Sequence, residues 1–285
     1  MTRPLSERVR EYWNVQPPHK ADENAEKHDL KWYQSISQHR WQVMPYYWDF
    51  VGFDSYAGKK ILEIGCGAGS DACEFARHGA DVTAIDITDH AIGLTTKRAE
   101  VEGLDLKAMK YEGEHLPFDP DTFDVVYSCG VLHHSPFMDN LFADTHKVLK
   151  PGGELIMMLY HRNSAIYYYS IIARNILRGT VNGRSRDELL SNFSEFREGC
   201  PMTRAFTVEE IQERLWFYGK VDSFTDYPVY DEDGHDRKKP LVEPFNLPET
   251  GVHDVDEFMR RMDADISAGN DLRKYGWHLL VRANK

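Results

Sequence analysis

The chain has 285 residues, with 34 Lys and Arg against 46 Asp and Glu and a formal charge of −12. That balance argues against a nucleic-acid groove or an anionic membrane surface as the main partner, and the length suits one large α/β domain with additions or two small domains. Cys66, Cys73, Cys129 and Cys200 show no C-x-x-C spacing and no paired framework, so buried cytoplasmic thiols are expected rather than a disulfide scaffold. Met1 to Asn14 is charged and lacks the apolar run of a signal peptide, and no apolar stretch approaches the ~18 residues of a membrane span. A cytoplasmic chain with no membrane segment is the expectation.

The first 58 residues differ in character from the remainder of the chain. Ser6 to Trp13 can form a short helix ending at Asn14, and Pro17-Pro18 breaks the chain. A second helical segment, Leu30 to Phe50, is dense in rings: Trp32, Tyr33, Trp41, Tyr46, Tyr47, Trp48 and Phe50. These rings either pack onto the main domain or form a water-excluding lid over a small molecule, and the two readings are compatible.

From residue 59 strand and helix alternate. Lys60 to Ile64 is a strand whose following helix runs to Gly79, and Asp81 to Ile85 is a second strand closed by Asp86. Thr88-Asp89 can cap a helix ending at Gly103. Leu104 to Lys110 and Phe123 to Cys129 are further strands, and Ser135-Pro136 reads as an N-cap and N1 proline opening a helix to Leu149. Pro151-Gly152-Gly153 leads into a fifth strand, Glu154 to Tyr160. Such alternation predicts a parallel, doubly wound sheet. Beyond it, Ser164 to Arg178 reads as a helix stopped by Gly179, and Ser185 to Glu188 and Thr207 to Glu210 have capping-box form. Val221 to Tyr230 is a strand, Asp231 to Lys239 a charged loop, Asp254 to Met262 a helix and Gly276 to Arg282 a final strand. The last two strands are expected as antiparallel neighbours at the sheet edge, with a long insertion between them.

One stretch organises the rest. Ile61 to Gly69 reads Ile-Leu-Glu-Ile-Gly-Cys-Gly-Ala-Gly: an apolar strand, then glycines at alternate positions, then a helix opened by Ser70-Asp71. Backbone N–H groups and a helix N-terminus can face a ligand here, although a tight turn without a ligand has the same pattern. A dinucleotide fingerprint wants G-x-G-x-x-G, but Ser70 stands at its third position, leaving less room for a pyrophosphate. Glu63 beside the turn favours a cation and repels a pyrophosphate. Asp86, about twenty residues on, suits a carboxylate accepting from two ribose hydroxyls. Glu112-Gly113-Glu114 follows the third strand, where the far end of an adenosine would lie.

These residues resemble the class I S-adenosylmethionine-dependent methyltransferases, nearest to the small-molecule, ubiquinone-biosynthesis-like branch. The matching pieces, in the family's order, are Leu62 to Gly69, Asp86, Glu114 to Phe118, Phe123 to Val126, Gly130 to His134 and Val148 to Gly153. They cover roughly residues 57–162. The resemblance implies an α/β fold: a doubly wound, mostly parallel, Rossmann-like seven-stranded sheet with S-adenosylmethionine above the carboxyl ends of strands one to four. It divides the chain into a helical aromatic cap (1–58), a cofactor-binding core (59–162) and a helical substrate-side region carrying the last two strands (163–285). It also implies that Gly65, Cys66, Gly67 and Gly69, with Glu63 beside them, face the methionine part. Asp86 would take the ribose, Ile87 the adenine face, and Glu112 with Gly113 its amino edge. Cys129 and Gly130 would line the methionine side. Glu112 departs from the family's more usual Asp, so that contact can pass to Glu114 or the backbone.

Methyl transfer from a sulfonium is an in-line displacement in which positioning supplies much of the rate, and a base is needed only where the acceptor carries a proton. His133 and His134, after the fourth strand, are candidates for that base or structural residues of the loop. Arg162, in Tyr160-His161-Arg162, is a candidate clamp for an acceptor carboxylate or an anchor for the next helix. No metal is expected: there is no H-E-x-x-H, and Asp231 to Asp236 lacks the alternate spacing and distal Glu of a calcium loop. The expected partner is a small-molecule methyl acceptor, without nucleic acid or membrane, for a monomer or homodimer. The rivals are a methyltransferase acting on RNA or protein and a non-catalytic SAM-binding sensor or scaffold.

Overall fold

The computed structural model describes residues 3–14, 24–195, 199–225 and 247–285. Pro17-Pro18, the charged loop 231–239 and the far half of the strand expected over 221–230 lie outside the described residues.

The N-terminal region holds α1 (Leu5–Trp13), α2 (Leu30–Val43) and α3 (Tyr47–Val51). The single helix expected from Leu30 to Phe50 is therefore two. Pro45 removes a donor and drives Met44 out of helical geometry, to φ −134° and ψ 60°. Asp29 caps α2 by accepting from the Trp32 N–H at 2.6 Å.

The core follows as β1 (Lys60–Ile64), α4 (Ser70–Arg77), β2 (Asp81–Asp86), α5 (Asp89–Glu102), β3 (Lys107–Lys110), β4 (Phe123–Cys129), α6 (Met138–Val148) and β5 (Leu149–His161). Thr88 caps α5 through the Ala91 N–H, and Gly103 ends it in the left-handed conformation. The helix expected from Ser135 opens later, because Leu132–His134 forms a 3-10 turn and the Ser135 hydroxyl accepts from the Phe137 N–H instead. β5 begins earlier than expected. Its Phe123–Leu149 and Val125–Glu154 pairs are out of step, so Lys150 to Gly153 are absorbed as an irregularity inside the strand and not as a turn before it.

Downstream come a π-helical segment (Ile166–Ala173), α7 (Arg174–Leu177), α8 (Arg186–Phe193), β6 (Ala205–Phe206), α9 (Val208–Arg214), β7 (Lys220–Thr225), α10 (His253–Ala268) and β8 (His278–Asn284). Both expected capping boxes form: Ser185 with Glu188, and Thr207 with Glu210. The helix expected to Met262 runs on to Ala268, where Gly269 caps it.

The strand order is β3-β2-β1-β4-β5-β8-β7, with the two-residue β6 beside β5. β1, β2, β3, β4 and β5 pair in parallel. The Gly152 and Lys285 backbones pair at one end of β5, and the His161 N–H meets Trp277 O near the other, so β8 runs antiparallel to it. β7 and β8 are neighbours at the edge, as expected. The order reverses between β1 and β4, the place where open α/β sheets bind ligands beyond their carboxyl ends.

The chain divides into two compact units. The first holds residues 1–158, 214–222 and 281–285, and the second holds 159–213 and 223–280. Inside the first, the N-terminal rings pack as structure: Tyr33 and Tyr47 are fully buried, and the Phe53 ring packs at a tilt on Phe75 of α4, centroids 4.6 Å apart. No helix among the described residues is long and apolar enough to cross a membrane.

Candidate functional site

The turn between β1 and α4 has Gly65, Gly67 and Gly69 at φ of 83°, 54° and 72°. A Cβ on Gly65 would lie 2.3 Å from the Val131 side chain, so glycine is required there by both conformation and crowding. Gly65 and Cys66 donate to Ile85 O, at 2.7 and 3.2 Å, and the Thr95 hydroxyl reaches both the Cys66 thiol and Gly67 O. Burial pushes the Cys66 thiol well up, so it is packed as a neutral group and not poised as a nucleophile. Ser70 is committed to structure, its hydroxyl accepting from buried Arg98 at 3.0 Å.

Acidic groups collect around this turn. Asp86 closes β2 with one oxygen accepting from the Thr88 N–H and hydroxyl, at 2.9 and 2.8 Å, and the other from the Gly67 N–H at 3.3 Å. A carboxylate has about four acceptor sites, so room remains for a ligand hydroxyl. Burial raises the Asp86 pKa and the bonds from Thr88 oppose it. Glu63, on β1, reaches the first turn of α4 and accepts from the Ala72 N–H, while its Oε2 is buried and meets no donor among the described residues. Asp71 in that same turn is held by Arg40 of α2 through Nε at 2.9 Å and through Nη2, and the Tyr127 hydroxyl donates to it as well. Tyr47 and Arg40 are in turn close to the Cys129 thiol, which burial holds neutral.

Arg40 was not legible as a site residue from motif matching. Its signal lies elsewhere: with Tyr33 and Ile36 it falls on the buried stripe of α2, where an unpaired charge is untenable.

The remaining candidates line the carboxyl edge. Gly113, at φ 91°, would put a Cβ 3.0 Å from Ile87, so the two expected adenine neighbours are in contact. Glu112 is exposed and bonded to Arg10 of α1, which reaches its carboxylate at 2.7 Å and its carbonyl at 3.3 Å. Glu114 is exposed. Gly130, at φ 72°, donates to Met158 O at 3.1 Å. His133 and His134 are both buried with rings 4.2 Å apart, and Trp13 of α1 packs on His134 at 4.9 Å. α1 thus touches the loops after β3 and β4, and Asn14 beyond it accepts from the His90 N–H.

Arg162 belongs to the second unit. Its guanidinium donates to Ala205 O at 2.9 and 3.2 Å and to Glu210 at 2.8 Å, so the carboxylate it grips is the chain's own. That unit has a ring-built interior: Tyr160 stacks on Trp277 at 4.3 Å and Tyr168 on Phe258 at 3.9 Å. The π-helical segment carries Tyr167, Tyr168 and Tyr169, an irregularity that often marks function and that no periodicity announces.

This arrangement suits a cationic adenosine-type ligand and not a pyrophosphate: the turn offers backbone groups, but its surroundings are short of positive charge. Comparison with known proteins agrees. Residues 62–157 match the family described as methyltransferase domain. Ubiquinone biosynthesis O-methyltransferase of Coxiella burnetii is 26% identical over 163 residues, covering 53% of this chain and 70% of that protein. Its counterpart in Aeromonas salmonicida is 28% identical over 198 residues, covering 65% and 82%. Among solved structures, a SAM-dependent methyltransferase from Methanosarcina mazei superposes with a TM-score of 0.54 at 19% identity, over 80% of this chain and 92% of that one. Residues 62–157 form a class I S-adenosylmethionine-dependent methyltransferase domain, and S-adenosylmethionine is its cofactor.

Proposed function

We propose that the methyl acceptor is a small molecule, enclosed by protein, in a cytoplasmic setting and without nucleic acid. The observation that carries this is the extent of the relationship to ubiquinone biosynthesis O-methyltransferases: the Aeromonas match covers 65% of the chain, well beyond residues 62–157. The formal charge of −12 and the aromatic interior of the second unit support the same reading.

On this reading the cofactor supplies a methyl group on a sulfonium, and the chain's residues position and shield it. Gly65, Gly67 and Gly69 bring the backbone close to the methionine part, with Cys66 packed behind and Cys129 and Gly130 on its other side. Asp86 accepts from ribose hydroxyls with the capacity its three internal bonds leave. Ile87 and Gly113 form the adenine wall, and Glu112, tied to Arg10, orders the edge beyond it. α1 keeps water from the mouth. Where the acceptor carries a proton, His134, the histidine against which Trp13 packs, is the group placed to receive it. Arg162 is an anchor of the second unit.

Incubating the protein with methyl-labelled SAM and, separately, small-metabolite, RNA and protein fractions of cells tests the proposal. Label is expected in a low-molecular-weight product. Label confined to RNA or protein overturns it.

A further inference from the structure

The buried charges around the glycine turn do not balance. Glu63, Asp71 and Asp86 are 3%, 4% and 9% exposed; of the buried guanidiniums nearby, Arg40 at 6% bonds one of them, while Arg98 is committed to Glu102 and to the Ser70 and Ser37 hydroxyls. Arg40 is spent on Asp71 in a two-pronged ion pair. Asp86 is satisfied by the Gly67 N–H and by the Thr88 N–H and hydroxyl. Glu63 is different: one oxygen has the Ala72 N–H, and the other is enclosed without a donor among the described residues. Its other titratable neighbours are Cys73 on α4, Cys66 in the turn and Tyr127, its register partner on β4, and burial holds each of these neutral. Among the described residues no three His, Cys, Asp or Glu side chains converge as a metal would need. An ionised, half-satisfied carboxylate in such a place is costly, and such groups take up a proton instead.

We propose that Glu63 is protonated in the empty protein and gives its proton to solvent when the cationic methionyl end of the cofactor enters, so that binding is an exchange of one positive charge for another. Burial first, then the Asp71 carboxylate, pushes the Glu63 carboxyl well above its ordinary range, against the pull of Arg40. The exchange lets the turn stay neutral enough to fold without ligand, yet presents a full negative charge once a cation arrives. Either cation of the cofactor can displace the proton: the sulfonium, which the demethylated product lacks, or the α-ammonium, which the product keeps.

Linkage fixes the signs. Because binding releases a proton, affinity for SAM rises with pH, by up to about tenfold per pH unit while Glu63 is protonated in the empty site. Because the folded empty protein holds a proton that the unfolded chain gives up at ordinary carboxyl pH, its own stability falls as pH rises above that range, until Glu63 ionises in the fold.

Calorimetric titration of the full chain with SAM, and separately with S-adenosylhomocysteine, in buffers of different ionisation enthalpy counts the protons. About one proton per SAM is expected in the wild type and none from that source in Glu63→Gln, whose pH profile of affinity flattens. Release with both ligands identifies the α-ammonium as the displacing cation, and release with SAM alone identifies the sulfonium. Binding heats independent of the buffer, or a release that survives Glu63→Gln, overturn the proposal. Infrared difference spectra of the wild type give a second reading: a carboxylic-acid carbonyl band present without ligand and lost on adding SAM. Its absence from the empty protein also overturns the proposal.

Discussion

Around the glycine turn Glu63, Asp71 and Asp86 are buried and, among the described residues, only Asp71 is bonded to a guanidinium, whereas the second unit carries ion pairs near its surface: Arg162 with Glu210, Arg186 with Asp254, Lys274 with Asp265. The first region is left with a deficit of positive charge that a ligand can fill. The second is ring-filled inside with ion pairs on its surface, so its interior is held by shape and apolar area and not by charge. One molecule thus shows two kinds of interior: a charge-incomplete one around the glycine turn and an aromatic one in the second unit.

Breaking the buried Arg40–Asp71 pair in the first region should have the largest effect. Arg40→Met leaves Asp71 buried without its cation beside Glu63, and a loss of about 3–5 kcal/mol of unfolding free energy is expected in denaturant titrations. A loss under 1 kcal/mol would mean the cluster is already neutralised by other means. Asp86→Ala comes next. It removes hydrogen bonds to a charged group worth roughly 1.5–3 kcal/mol, or about 10- to 150-fold in SAM affinity by calorimetry. Unchanged affinity would refute the ribose role. Arg186→Ala in the second unit should be the mildest. The pair with Asp254 is more than a third exposed on both sides, so screening holds the change to about 1 kcal/mol or less by thermal unfolding. A larger drop would show that the second unit's surface pairs are as structural as the buried one.

How far the chain could be read depended on the range of the interactions involved. The strand–glycine–helix stretch, Asp86 at the end of β2 and the capping boxes at Ser185 and Thr207 are local patterns, set by neighbours within a few residues. β1 and β4 have the expected ends because each is a short apolar run between turn signals. The break at Pro45 is a local signal too, since proline there removes a donor and restricts Met44. The late start of α6 and the irregular entry to β5 were not legible, because the 3-10 turn at Leu132–His134 and the register shift against β4 depend on how β4 and β5 pair. Arg162 shows the same limit: its charge and place after β5 suggested a clamp, but the partner that occupies it, Glu210, lies far along the chain.

By itself the sequence determined the cofactor and the order of the core, since a glycine turn, a ribose-type carboxylate and a strand–helix alternation are each written in contiguous residues. Only the tertiary structure decided the electrostatics of the site. Arg40, Glu63, Asp71, Asp86 and Tyr127 come from α2, β1, α4, β2 and β4, and their charges matter because folding removes them together from water. A carboxylate's protonation state is a property of that shared low-dielectric space, and no stretch of chain carries it alone.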